Sequence, residues 1–313
     1  MKPNRVSGEP APVATAAEVW LLGLPSLGDY LEFVKTRVID GSATDPANLA
    51  SEWLAANRYY QELEDVETGI ADLAERRPLD PALADLAAEV KADPYFRQTF
   101  DTFPTTIELV ELDRLIVFQK SVTWDFVEQL TSRIDRNPRP EELFRFCLPV
   151  GERANPVQIR QAGSRRYIFR SESTDLCFQG NALFRPEQIR DHASFGPVAG
   201  VVGVVVGFGS NFLNVIRADN RMLLHNGYHR ACALRSIGIT HAPAIMQTVT
   251  GGDELAVAAR ETVSRNPDFY FRSARPPLLK DFFDPKIRKV LVTPRLLRVI
   301  EVVTEVRDYL MPE

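Results

Sequence analysis

The apolar positions of this chain change their period along its length. From Ala16 to Phe103 they recur at helical spacing: Leu31, Val34 and Val38 share one face, Leu54, Tyr59 and Leu63 a looser one, and Ile70, Leu73 and Leu79 carry the pattern onward. Such a stripe is what an amphipathic helix buries. Asp45-Pro46 and Asp80-Pro81 read as helix starts with proline at the first helical position. At Pro104 the period becomes two, and Thr106-Ile107-Glu108-Leu109-Val110-Glu111-Leu112 predicts a strand. Phe126–Ile134 reads as a helix, 141–146 is ambiguous, and Tyr167–Arg170 and Leu176–Gln179 read as strands joined by a polar loop. The most apolar stretch, 196–209 (GPVAGVVGVVVGFG), falls short of the ~20 residues of a membrane span and is broken by glycine. It is expected to be a buried strand or helix.

Further on, Phe212–Ile216 predicts a strand feeding a turn at Asp219-Asn220, and Met222–His225 a second short strand. A tight Asn226-Gly227 loop leads to a helix over His229–Ser236, with Gly238 as its C′ stop, and an apolar run Ala244–Val249 follows. Asp253–Val263 reads as a helix, 266–285 as an aromatic- and proline-rich strap, and Pro285–Leu310 as one or two helices with Leu296, Ile300 and Val303 on one stripe. The expected organisation is α+β: a helical module over 1–103 with a disordered start, a mixed core over 104–250 carrying an insertion at about 125–210, and a helical extension over 251–313.

A strand, a glycine turn and a helix in succession make an anion site in outline. The N–H groups of the helix's first turn lack intrahelical acceptors, and the helix dipole favours a phosphate or carboxylate there. Arg230 stands in that first turn, where a guanidinium can fork onto two phosphate oxygens. The competing role for Arg230 is to pair with a core carboxylate and anchor the helix. His229 fits a phosphate donor or proton shuttle as well as it fits a structural histidine. Tyr228 is placed either to contact a ligand or to sit exposed in the turn, and Asn226 to brace the turn through its side chain. His225 and His229 are separated by the loop and do not form a metal pair.

Gly227-Tyr228-His229-Arg230-Ala231-Cys232-Ala233 resembles the G-x-H-R-x-x-A loop of the ParB/sulfiredoxin superfamily. It is similar also to the G-E-R-R-x-x-A loop of partition-type CTPases and the D-G-H-H-R loop of free serine kinases. The resemblance implies that Asn226, Gly227, Tyr228, His229 and Arg230 hold nucleotide phosphates, with ATP, ADP or CTP and Mg²⁺ as the expected cofactors. It implies a ParB/sulfiredoxin-like core. Sulfiredoxin's catalytic Cys position is Tyr228 here, which argues against that reductase chemistry, and the kinases' Asp is Asn226. The kinases also place a catalytic Glu shortly after the first core strand. Here Gln119-Lys120-Ser121 follows, so Glu108, Glu111, Asp113 and Asp125 are the available carboxylates, with Glu111 and Asp125 nearest the strand end.

Charge sharpens this picture. Net charge is −5, but residues 1–103 hold 9 Lys/Arg against 18 Asp/Glu and residues 104–313 hold 28 against 24, with all four His. The phosphate-type loop lies in the less acidic part, while overall acidity disfavours duplex DNA. Cys147, Cys177 and Cys232 form no C-x-x-C, and a reducing cytoplasm is expected. The first residues have no apolar core of a signal peptide and read as a flexible tail. Glu62, Glu64, Asp65 and Glu67, without a His, read as a solvated helix face, and Arg160, Arg165, Arg166 and Arg170 as a basic surface cluster.

Three function classes follow. The first is a nucleotide- or phosphate-binding protein that transfers a phosphoryl group to a small-molecule acceptor or hydrolyses a nucleoside triphosphate, with His229, Arg230, Glu111 and Asp125 as catalytic candidates. The second is a non-catalytic, nucleotide-gated module acting on a protein partner or a second copy of itself. The third is a DNA-associated, partition-like protein, against which both the charge and the missing reading helix count. No membrane partner is expected.

Overall fold

The computed structural model describes residues 14–24, 26–151, 156–173, 175–189, 196–209 and 211–312. The tail expected at the start of the chain lies outside them, apart from its last residues. The protein is mixed α+β, with four small sheets among the described residues. It divides into two compact units, one of Met1–Val150 with Asn211–Arg295 and one of Gly151–Ser210 with Leu296–Glu313. Their limits do not follow the boundaries expected at 103 and 250.

The larger unit opens with strand β1 (Thr15–Leu21), where helical periodicity had been expected from Ala16. Helix α1 (Leu27–Arg37) follows, capped by the Ser26 hydroxyl on the Asp29 N–H at 3.1 Å. Helix α2 (Pro46–Val66) starts at the expected Asp45-Pro46, with the Asp45 carboxylate accepting from the Ala47 N–H at 2.9 Å. A short strand β2 (Arg76–Pro78) comes next, then helices α3 (Ala84–Ala92) and α4 (Pro94–Phe100). Strands β3 (Thr105–Glu111) and β4 (Ser121–Thr123) and helices α5 (Trp124–Thr131) and α6 (Pro140–Cys147) complete the part before the insertion.

The smaller unit holds β5 (Gln158–Gln161), β6 (Arg166–Ser171), β7 (Leu176–Phe184) and β8 (Val201–Phe208). Strands β7 and β8 form a two-stranded antiparallel ribbon, in which Val202 is 74% exposed. The apolar 196–209 stretch is therefore a strand, as one reading had it, but not a buried one. Arg166, from the basic cluster, pairs with Glu301.

Back in the larger unit, β9 (Asn214–Ala218) and β10 (Arg221–Asn226) form a hairpin whose turn carries Asp219 at φ 53°. Helix α7 (Tyr228–Ser236) and strand β11 (His241–Val249) follow, and then the short helices α8 (Gly252–Ala258), α9 (Glu261–Ser264) and α10 (Pro267–Phe271). The expected helices over Pro285–Leu310 are absent. That segment forms β12 (Arg288–Pro294) in the larger unit and β13 (Arg298–Val303) in the smaller. The extension over 251–313 is thus helical only in its first part.

The central sheet runs β10-β9-β11-β3-β2, and a second sheet runs β12-β1-β4. The segment over 1–103 therefore supplies a strand to each sheet, β2 at the edge of the central sheet beside β3 and β1 in the middle of the second between β12 and β4. The largest core cluster joins the central sheet (Val110, Ile245, Leu224) to α5, α6 and α7 through Val127, Phe144, Ala231 and Leu234. Six residues of α7 are buried, Arg230 among them, so this helix is enclosed rather than amphipathic. Among the described residues no helix is long and apolar enough to cross a membrane.

Candidate functional site

The strand–turn–helix expected around Gly227 is present. Gly227 sits at φ 95°, in the left-handed region, at the N-cap of α7. A Cβ there would stand 2.9 Å from the Leu213 Cα, so the backbone conformation and the close approach of β9's entry both require glycine. The first i→i−4 bond of α7 runs from the Ala231 N–H to the Gly227 carbonyl at 2.9 Å. The N–H groups of the preceding turn find no acceptor within the helix, and they lie at its positive end.

Tyr228 occupies neither place expected for it. It is 2% exposed, and its hydroxyl donates to the Leu224 carbonyl at 2.8 Å while accepting from the Phe118 N–H at 2.9 Å and the Gln119 N–H at 3.4 Å. Burial pushes its phenol pKa up. The side chain locks the segment after β3 onto α7, leaving only its backbone to face a ligand. Tyr228→Phe is expected to destabilise the protein by roughly 1–3 kcal/mol, because the buried Phe118 N–H loses its acceptor; urea unfolding measures it.

His229 lies edge-on to Phe126, with ring centroids 4.9 Å apart, and its Nε2 is buried without a hydrogen-bond partner. Burial, and then the charge of Arg230, bring its pKa down to about 4. His225 at the end of β10 is lowered to about 4 as well, by burial and then by Arg260, and its Nδ1 lies 3.2 Å from the Asn214 Oδ1. Both imidazoles are neutral at pH 7. Because their folded pKa values lie below the ordinary histidine value, the unfolded chain binds more protons between about pH 6.5 and 4. Stability is then complete above that window and falls as pH drops through it, by several kcal/mol for the two together. Urea midpoints between pH 7.5 and 4.5 should show this slope, and His229→Leu should remove about half of it.

Arg230 is 4% exposed, and its Nη1 donates to both the backbone carbonyl and the Oδ1 of Asn211, the latter at 2.7 Å. The guanidinium thus clamps the re-entering chain at 211 to the first turn of α7. This is an anchoring role, in which Asn211 is a partner. Arg230 also lies near the Cys147 thiol, whose pKa burial pushes up to about 12. Cys232 is fully buried, in keeping with an inert thiol. Asn226 ends β10 opposite Asn214, at a bulge after Leu224.

Of the two catalytic carboxylate candidates, Glu111 lies far from this turn, and both accept hydrogen bonds from elsewhere in the chain. Glu111 ends β3, where its Oε2 accepts from the Glu75 N–H at 3.0 Å and from Arg114 at 2.9 Å. Two residues on, Asp113 accepts from Arg235 at 2.8 Å, so this end of β3 meets the last turn of α7. The helix's nine residues put that turn about 13 Å from Gly227. Asp125 is closer. Helix α5 runs alongside α7 in the same direction, with Phe126 at His229 and the Thr131 hydroxyl 3.3 Å from that of Ser236. The Asp125 carboxylate nevertheless accepts from the Ala17 N–H of β1 at 3.2 Å.

Three further side chains stand at the turn. Asn214 left a trace in the sequence, as a lone amide in an apolar strand. Asn211 and Phe126 left none, since only the fold brings them to α7. Among the described residues no cluster of three or more His, Cys, Asp or Glu could hold a metal. No family model, no curated protein and no solved structure matches this chain.

Proposed function

We propose that this chain is a ParB/sulfiredoxin-like phosphate-binding protein that takes a nucleotide at the N-terminus of α7 and acts as a binding module, not a phosphoryl-transfer enzyme. The observation that carries the reading is the β10–Gly227–α7 unit, with a left-handed glycine forced by Leu213 and a first turn bearing His229 and Arg230. The first-turn N–H groups and the helix dipole would hold the phosphate. Arg230, already fixed by Asn211, would add charge without the cost of ordering a loose side chain. A phosphate beside His229 would raise its depressed pKa, so affinity rises as pH falls below neutral. Mg²⁺ would arrive with the nucleotide. Glu111 and Asp125 are engaged elsewhere, which favours binding over transfer.

Calorimetric titration with ATP, ADP, CTP and GTP, each with Mg²⁺, tests this reading. Micromolar binding of at least one nucleotide is expected, weakened about tenfold or more in Arg230→Lys, which keeps the charge but loses the planar fork. Release of phosphate or ADP at steady state would overturn the non-catalytic part, and silence with all four nucleotides would overturn the whole.

A further inference from the structure

We infer that the groove along the first half of β3 is a docking site for an extended acidic segment of a partner protein. Two adjoining depressions make it, of about 500 and 370 Å³, and Lys91 of α3 lines both. Together they follow β3 from Thr105 to Glu108, four residues or roughly 13 Å of strand. This inference does not depend on the nucleotide reading, since the groove belongs to β2, β3, α3 and α4, and α7 contributes nothing to it.

The sheet itself prepares the place. Strand β2 is the edge partner of β3 but pairs only with Glu108–Val110, ending at Pro78. The Glu111 N–H bonds the Glu75 carbonyl on the β2 side, and the Thr248 N–H bonds the Pro104 carbonyl on the β11 side. Alternation along the strand then turns the backbone polar groups of Thr105 and Ile107 toward the side where β2 has ended. An incoming strand would take up the edge from there, in the manner of β-augmentation.

Charge selects the occupant. The groove carries Arg76, Lys91 and Arg97 against Glu108 and Asp101. Arg76 and Glu108 satisfy each other at 3.0 Å. Lys91 and Arg97 are exposed and have no ion-pair partner among the described residues, in a part of the chain where acidic residues outnumber basic ones two to one. Buried Phe100 lines the same depression as both of them. Lys91 and Arg97 against Asp101 leave the groove net positive by one, and two cations outside any ion pair, beside an apolar wall and an unfinished sheet edge, fit an extended strand that alternates acidic and aliphatic side chains.

The test is fluorescence anisotropy of the whole protein with a short labelled peptide alternating Glu and Val, a matching Lys and Val peptide, and a labelled single-stranded oligonucleotide. The Glu–Val peptide is expected to bind, the Lys–Val peptide to fail, and the Lys91→Glu/Arg97→Glu protein to lose about tenfold or more of the affinity. Both substituted side chains are exposed, so circular dichroism should report an intact fold. Amide exchange at Thr105 and Ile107 should slow in the complex. Failure of the Glu–Val peptide to bind, equal binding by the charge-reversed protein, unchanged exchange at both amides, or tighter binding of the oligonucleotide would each overturn the proposal.

Discussion

Asp281→Ala is expected to lower stability by about 3–5 kcal/mol, the largest effect of any single substitution considered for this chain. Arg275 and Asp281 are each 1% exposed and meet as a fork, with Nη1 to Oδ2 at 2.9 Å and Nη2 to Oδ1 at 2.6 Å. The same carboxylate accepts from the Leu278 N–H at 2.9 Å, and Glu67, the C-cap of α2, takes the Arg275 Nε at 2.9 Å. Tyr60 closes the far side, donating to the Arg275 carbonyl at 3.0 Å with its ring 4.8 Å from the guanidinium. Removing the carboxylate leaves the buried guanidinium with Glu67 as its one counter-charge among the described residues and strands the Leu278 N–H, so the strap over 266–285 loses its internal brace. At about 2–4 °C per kcal/mol for a domain of this size, the melting temperature should fall by roughly 6–20 °C. Arg275→Met/Asp281→Leu separates the cost of an unpaired charge from the worth of the pair. It should recover much of the loss, because a well-packed apolar substitute often matches a buried ion pair. A double variant as unstable as Asp281→Ala would show that the network itself carries the stability.

Gly227→Ala comes second and bears on the site directly. A left-handed φ costs an L-residue about 1–2 kcal/mol, and a Cβ placed 2.9 Å from the Leu213 Cα adds roughly 1–3 kcal/mol, since the obstacle is backbone and cannot swing aside. Gly238→Ala supplies the control. Gly238 has φ 90°, almost that of Gly227, but a Cβ there meets nothing within 4 Å. It should cost only the conformational part, about 1–2 kcal/mol. The difference between the two variants in urea measures the close approach at Leu213. Equal losses would mean that the turn tolerates a side chain and that the packing argument is wrong.

The site's local frame was legible because its signals are local. A glycine between an apolar strand and an alanine-rich helix, stopped by Gly238, needs no distant partner to be read. The surroundings were not legible in the same way. Arg230 reads as a ligand-facing cation in isolation, and only the return of the chain at Asn211 shows it clamped. Tyr228 reads as a turn residue until the segment after β3 folds onto its hydroxyl. Glu111 and Asp125 stand nearest the strand end along the chain, whereas Glu75 and Ala17, far upstream, decide where their carboxylates rest.

The largest misreading of the fold has the same origin. Leu296, Ile300 and Val303 fit a helical stripe, yet the segments around them are rich in β-branched residues, RKVLVTP and RVIEVV. Strand β12 pairs with β1, Thr15 standing opposite Pro294, so the chain's two ends settle each other's structure. The same pairing turned Ala16–Leu21 into a strand. Periodicity over a short window cannot register a partner so remote in sequence.

An anion resting on the first turn of α7 would shift the amide resonances there, which makes its binding open to a direct test. Nitrogen–proton correlation spectra should be followed while inorganic phosphate, and then a Mg²⁺–nucleotide, is titrated into the full chain. Saturable shifts are expected at Tyr228, His229 and Arg230, with little change at Glu111, which lies near the far end of the helix. No shift at those three amides with either ligand, or saturable shifts confined to another part of the protein, would contradict anion binding there.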